Sequence, residues 1–441
     1  MVNRMGSAIT RRKFVAQSAV TAGVLFIPNS SRVFGANERL SVGIVGPGQR
    51  GRSLMKEFRA LEKEMNVEMT AVCDIWRLNR ERGAAMVAQW HEGKPPRQCR
   101  NLEETCALKD VDALIIATAD FQHAKHLTQA VQAGKDVYCE KPMANDWREA
   151  KEALRAVRET KRVVQIGTQR RSDGQFIAAA QMMQTGILGT LSKVDISWNV
   201  MQQRWRRDDV GEAKAEDVDW KRFLMHKRMR PFDPRQFMEW RLYRDFSSGI
   251  PDQWMSHLID VVHWFTGEPF PRSAVAQGAV CVWKDGRENP DTFQAVLEYR
   301  KGFLVSYSTT FGNAGSGDGL TFMGTNGTFD TRTMKFSGAG GGGAQRIQEE
   351  IAVPPQGDSS HLKNWLECVR TRRTPHAPPE VALGAVAAVV MAVQAMHSGK
   401  RAYFDPVRLE ITDNREPPAL TKADAPMPPS VAVQGKTDIR Q

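Results

Sequence analysis

The stretch Leu40-Ser-Val-Gly-Ile-Val-Gly-Pro-Gly-Gln-Arg-Gly-Arg-Ser-Leu54 constrains this chain more than any other. It is apolar and β-branched from Val42 to Val45, as a buried parallel strand requires. It then breaks at Gly46, Gly48 and Gly51 before a helical pattern sets in near Ser53. A strand that enters a helix through G-x-G-x-x-G can seat a dinucleotide pyrophosphate on the helix N-terminus. Gly46 would allow the tight turn, Gly48 the approach of backbone to phosphate, and Gly51 close helix–strand packing. Gln49 and Arg50, inside the turn, join them as candidate cofactor contacts.

The following residues keep this register. Val67-Glu-Met-Thr-Ala-Val-Cys-Asp74 reads as a second strand ending in an acid, where a carboxylate can bond the adenosine ribose 2′-hydroxyl. An acid there repels a 2′-phosphate, so NAD is expected and NADP is disfavoured, although Arg77 and Arg80 stand nearby. Asp110–Thr118 and Gly134–Glu140 give two further strands, with a helix over 123–133 between them. Strands alternating with helices predict an α/β fold built on a Rossmann, doubly wound parallel sheet. Sites in such sheets lie beyond the carboxyl ends of the strands. Thr118, Asp120, His123, Glu140 and Lys141 all fall there.

Composition places the rest. Five of the eleven surplus positive charges lie in the first 35 residues, which hold no acid. A basic stretch with Arg204, Arg206, Arg207, Lys227, Arg228 and Arg230 is interleaved with acids and reads as solvated surface or subunit contact, so no nucleic-acid partner is expected. Thr10-Arg-Arg-Lys-Phe14, a weakly apolar segment to Pro28 and small residues at Gly35-Ala36 read as a twin-arginine (Tat) signal over 1–36. The segment is too short and polar to span a membrane. Export through the Tat machinery, hence a periplasmic location, is expected. The six cysteines show no zinc spacing and no metal site is expected; a Cys99–Cys106 disulfide is conceivable in an oxidising compartment.

The expected domains are a nucleotide-binding unit over 37–160, a substrate and oligomerisation unit over 161–412, and a Pro-rich tail over 413–441. In the second unit, period-2 stretches such as 295–299 and 303–308 predict a mainly antiparallel open sheet, one face free to pair subunits into a homo-oligomer. Gly338–Gly343 reads as a loop, and 361–370 and 381–397 as two helices returning to the first domain. Within Ser247–Trp264, His257, Asp260 and Trp264 share a helix face, with His263 turned aside. Trp220, Arg235, Trp240, Arg241, Tyr243 and Arg244 suit either a polyhydroxylated ligand or packing between subunits.

Gly46-x-Gly48-x-x-Gly51, Asp74, Ala117-Thr-Ala-Asp-Phe-Gln-His123 and Ala133-Gly-Lys-Asp-Val-Tyr-Cys-Glu-Lys-Pro142 resemble, in order, the Gfo/Idh/MocA oxidoreductases over about residues 40–410. The resemblance implies an NAD-dependent oxidoreductase acting on CH–OH groups of a sugar or polyol. Lys141 then matches the lysine that touches substrate and nicotinamide, His257 the catalytic histidine, and Gln169 and Arg170 lie in a segment near the substrate, Gln169 as a cofactor contact and Arg170 as a substrate contact. The position four before His257, an aspartate in the family pattern, is Gln253 here. An amide orients but takes no proton. Either Lys141 and His257 suffice, or Asp252 or Tyr307 substitutes, or the chemistry differs. The bound nucleotide would be recycled, as in glucose–fructose oxidoreductase, or would transiently oxidise a glycoside for elimination. A sugar-binding protein without catalysis is the remaining alternative.

Overall fold

The computed structural model describes residues 39–354, 357, 360–413 and 415–417; the expected signal and most of the tail lie outside them. The described residues from Leu40 onward form one compact unit. Strand β1 (Leu40–Val45) leads into α1 (Gln49–Met65), so the helix begins inside the glycine turn rather than near Ser53. Leu54, Met55, Phe58, Leu61 and Met65 form its buried stripe, and Asn66 closes it in the left-handed region. The chain continues through β2 (Val67–Cys73), α2 (Arg77–Trp90), β3 (Arg97–Cys99), α3 (Leu102–Cys106) and β4 (Ala113–Ile116). Then come α4 (His123–Gln132), β5 (Asp136–Cys139), α5 (Trp147–Thr160) and β6 (Val164–Ile166).

These six strands form a parallel sheet in the order β3-β2-β1-β4-β5-β6. Strand β6 pairs with β5, so the first sheet runs past the boundary expected at 160; Val164, Gln165 and Ile166 are fully buried on it. The order reverses between β1 and β4, which opens a crevice at their carboxyl ends.

The remaining chain forms α6 (Gly174–Gln184), β7 (Leu191–Trp198), the short helices α7 (Trp220–Leu224) and α8 (Pro234–Met238), a π-helical turn Pro251–Met255 and α9 (Ser256–Thr266). Strands β8 (Pro271–Ala279), β9 (Thr292–Tyr299), β10 (Leu304–Thr310), β11 (Asp318–Gly324), β12 (Gly327–Asp330), β13 (Lys335–Ser337) and β14 (Ile351–Ala352) follow. Helices α10 (His361–Thr371) and α11 (Pro379–Ser398) precede β15 (Ala402–Asp405) and β16 (Glu410–Asp413). The second sheet has ten strands, ordered β14-β13-β12-β11-β7-β10-β9-β8-β15-β16. It is antiparallel except where β10 runs parallel to β7.

Helix α10 fastens onto the first sheet: Arg370 donates to the Met65 and Asn66 carbonyls, and Arg372 pairs with buried Asp136. Helix α11 is long and apolar enough to cross a membrane, but Leu383, Val386, Val389 and Met391 are buried in the core. That core takes in α11, α5 and both sheets. Cys99 and Cys106 are free thiols, as are the other cysteines, in place of the disulfide considered. Between β7 and the π-helical turn, residues 199–250 build a third cluster in which Trp220, Phe223, Phe237 and Phe246 pack on Trp76 and Phe121. This segment therefore covers the adenosine side of the crevice.

Candidate active site

One cleft of about 1610 Å³ runs from the glycine turn to the start of α9. Its first wall suits a dinucleotide. Gly46 has φ +84°, and a Cβ there would sit 2.8 Å from the Ala117 carbonyl oxygen; at Gly51 it would sit 2.1 Å from that of Gly46. Only glycine allows this turn. Gly48 caps α1 with no side-chain hydrogen bond, and the first turn carries no acid, so its amides have no built-in anion. Asp74 follows β2; its carboxylate accepts from the Trp76 amide at 2.8 Å, and burial pushes its pKa up to about 6. Arg77 pairs with Glu81 and Asp217, and Arg80 donates to the Asp74 carbonyl, so neither guanidinium is committed to a 2′-phosphate. This donor and acceptor set fits NAD.

Farther along, Glu140 organises its neighbours. Its carboxylate takes Arg50 Nε at 2.8 Å, Gln169 Nε2 at 3.3 Å and the Lys141 amide at 3.2 Å. Thr118 also lines the cleft, its hydroxyl 3.1 Å from His126 Nδ1. His123 reaches the cleft edge but is 1% exposed, with its ring nitrogens 2.7 Å from the Pro142 carbonyl and 3.1 Å from that of Thr118. It ties two strand-end loops together rather than presenting a free nitrogen to a cofactor.

Lys141 Nζ donates to the Gln253 carbonyl at 2.9 Å. Burial pushes its ammonium pKa down, and the carboxylates of Asp120 and Glu140 oppose that shift. The Gln253 side chain is held at both ends: Nε2 donates to Asp120 Oδ2 at 2.5 Å, and Oε1 accepts from Arg241 Nε at 3.0 Å. Asp120 also accepts from the Ser247 hydroxyl at 2.7 Å. His257, in the first turn of α9, makes no hydrogen bond through its ring among the described residues and lines the cleft beside Trp198, with ring centroids 6.2 Å apart. Burial and the nearby cations Lys141, Arg170 and Arg50 hold its pKa well below 6.5. The imidazole is therefore neutral at pH 7 and able to accept a proton.

Not every expected residue reaches the cleft. Asp252 is 1% exposed and faces the turn that starts the π-helix, where Oδ2 accepts from the Ser248 amide at 2.7 Å. The residue beside the cleft is its neighbour Gln253. Tyr307 lies in the sheet core, accepting from the Thr309 hydroxyl at 2.7 Å. Arg170 sits behind the wall with its guanidinium 5.6 Å from the Trp198 ring centroid. Conversely, Arg204, Arg206 and Arg207, read as surface or subunit contact, line the cleft. Trp220 is core, Arg235 and Arg244 serve Glu239 and Glu288, while Trp240 and Arg241 face the cleft. Trp198 and Trp254 were missed, and Asp120, expected at a strand end, was given no part beside Lys141, because no local pattern joins these residues to it.

Residues 40–168 match the "Oxidoreductase family, NAD-binding Rossmann fold" model, and residues 222–404 match the "Oxidoreductase family, C-terminal alpha/beta domain" model. Inositol 2-dehydrogenase 3 of Saccharopolyspora erythraea is 31% identical over 153 residues, 34% of this chain and 42% of that protein. A glycosyl hydrolase family 109 protein of Stenotrophomonas maltophilia is 34% identical over 140 residues, 30% of each chain. The matches thus span less than half the length of these two relatives. The WlbA dehydrogenase of Bordetella pertussis, solved with NADH and UDP-GlcNAcA, superposes with a TM-score of 0.62 at 19% identity, over 83% of this chain and 99% of that one. With both models matched in order along the chain, this protein belongs to the Gfo/Idh/MocA family of oxidoreductases.

Proposed function

We propose that the protein is an exported NAD(H)-dependent oxidoreductase that moves a hydride between nicotinamide and a carbinol carbon of a sugar, polyol or related carbohydrate. The observation that carries this reading is one cleft holding the glycine turn and Asp74 at one end and Lys141, Gln253 and His257 at the other. Bound NAD supplies the hydride acceptor. His257, neutral at pH 7, takes the hydroxyl proton on a ring nitrogen as the C–H pair leaves. Lys141 Nζ polarises the same oxygen and stabilises the negative charge that develops on it. Asp120 replaces the carboxylate that Gln253 lacks: it accepts from the Gln253 amide and sets its charge near Lys141. Trp198 and Trp254, stacked 4.7 Å apart, offer an apolar face to a sugar ring.

The leader with Arg11 and Arg12 supports export, and Val275, Val296 and Leu304, exposed on the second sheet, support a homo-oligomer through that sheet. A second reading has support in the family 109 relative: transient oxidation by bound NAD followed by glycoside cleavage. Mass spectrometry of the nucleotide released on denaturation, followed by a sugar screen, tests both. Net NADH formation supports the first reading, and bond cleavage without net redox change supports the second. A protein that holds and binds no nucleotide overturns both.

A further inference from the structure

The cations around the reacting end of the cleft are unequally neutralised. Arg50 pairs with Glu140, Arg206 with Glu239 and Asp285, and Arg207 with Asp209. Arg204 and Arg241 have no carboxylate within ion-pair distance among the described residues. Arg204 donates from Nη1 to Gln202 Oε1 at 3.0 Å and lies 5.1 Å from the Trp254 ring centroid; its Nε is buried without a partner. Arg241 lies 4.0 Å from the Trp240 ring centroid and, among the described residues, donates only to the neutral amide of Gln253. Burial lowers the pKa of both guanidiniums. Lys141, next to them, donates to a carbonyl. Against these three cations the reacting end holds, among the described residues, two carboxylates outside an ion pair: that of Asp120, and that of Asp252, which is buried in its own turn with Oδ2 on the Ser248 amide.

A desolvated cation without a counter-ion costs free energy that a bound anion offsets. The planar guanidinium fork suits a carboxylate or phosphate. The dinucleotide pyrophosphate has its own seat on the opposite wall, at the N-terminus of α1. Arg204 and Arg241 instead flank Gln253 and Trp254, beside the stacked tryptophans.

Resting on the reading of this cleft as a carbohydrate hydride-transfer site, we propose that its substrate is an anionic sugar, bearing a carboxylate or a phosphate that Arg204 and Arg241 bind while the ring lies on the Trp198–Trp254 wall. The substrate is thus recognised by charge at one end and oxidised at a hydroxyl near Lys141 and His257.

The test uses the full-length protein loaded with NAD and measures equilibrium binding and NADH formation with glucuronate, glucose 6-phosphate and glucose. At least one anionic sugar is expected to bind about tenfold or more tighter than glucose, with the preference weakening as salt rises. The difference between glucuronate and glucose 6-phosphate identifies the anionic group. In Arg204→Leu the preference for the anionic sugar falls to about threefold or less, with NAD affinity retained; Arg204→Lys, which keeps the charge and loses the fork, is intermediate. If Arg204→Leu does not fold, the lysine variant carries the comparison. Equal binding of glucose and both anions overturns the proposal, as does binding of none of them. Loss of NAD affinity in the variant with the sugar preference intact also overturns it and assigns the arginine to the pyrophosphate. Tight anion binding without NADH formation would leave this inference standing and count against the hydride-transfer reading.

Discussion

Gln253 Nε2 donates to Asp120 Oδ2 at 2.5 Å, across 133 residues of sequence, and joins the loop after β4 to the turn before α9. The carboxylate that the family pattern puts at position 253 is thus found at the other end of a hydrogen bond, on Asp120, whose charge still acts on Lys141. Asp120 does more than Glu140 to favour the charged form of Lys141. Asp120→Asn therefore removes negative charge from Lys141, whose pKa falls further. The basic limb of the pH–kcat/KM profile moves to lower pH, and kcat falls by about tenfold to a hundredfold. The exchange Asp120→Asn with Gln253→Asp returns a carboxylate to the pair and restores part of the loss. Steady-state pH profiles of the three variants check this.

Lys141→Met and His257→Asn each remove a group from the reacting oxygen's surroundings and leave the dinucleotide wall intact. Each is expected to lower kcat by about a hundredfold or more, with NAD affinity within about threefold of the parent. His257 has its pKa held well below 6.5, so it protonates only in acid. The acid limb of the parent profile therefore lies below pH 6.5, and His257→Asn abolishes it. Stopped-flow NADH formation and nucleotide titration separate the two effects.

Two glycines of one turn separate folding from binding. At Gly51 a Cβ would lie 2.1 Å from the Gly46 carbonyl oxygen, so Gly51→Ala forces α1 away from β1 and destabilises the fold. At Gly48 the nearest atom to a Cβ is Asn79 Nδ2 at 3.9 Å, so the free protein tolerates alanine, but the added methyl occupies the phosphate seat. Gly48→Ala is expected to keep its melting temperature within a few degrees and to lose about tenfold or more in NAD affinity. Thermal melts without nucleotide and NAD titrations distinguish them.

Asp252 carries a pH signature of its own. Burial, aided by the charge of Asp120, raises its carboxyl to about 7 from 3.8, and its Oδ1 has no partner. A folded acid with a raised pKa holds protons that the unfolded chain releases. It therefore costs stability as pH rises from about 4 through 7. Asp252→Asn removes that cost, so the fall in melting temperature between pH 5 and pH 8 becomes shallower than in the parent. Differential scanning calorimetry at the two pH values reads it.

What was legible in the chain was local. The strand, turn and helix at Leu40–Leu54, Asp74 after β2, and Glu140-Lys141 after β5 are each written in consecutive residues with one period and one glycine or proline punctuation. Their placement follows from the parallel sheet. Asp120, by contrast, meets Gln253 only because the π-helical turn before α9 docks against the loop after β4, and no periodicity encodes that contact. The register of 252 and 253 was harder still, because Pro251–Met255 is π-helical and its wider turn departs from the 3.6-residue wheel. The arginines at 204, 206 and 207 looked like surface because residues 199–250 have little regular structure. It is the aromatic cluster around Trp220 and Phe223 that folds them over the cleft.

The central claim is hydride transfer from a carbohydrate carbinol carbon to nicotinamide in this cleft. The most direct measurement is the mass of the nicotinamide nucleotide released after the NAD-loaded protein turns over a sugar deuterated at its carbinol carbons. The account predicts a nucleotide carrying one deuterium, and none in the Lys141→Met protein. Product formed by the parent protein with the nucleotide mass unshifted would contradict it.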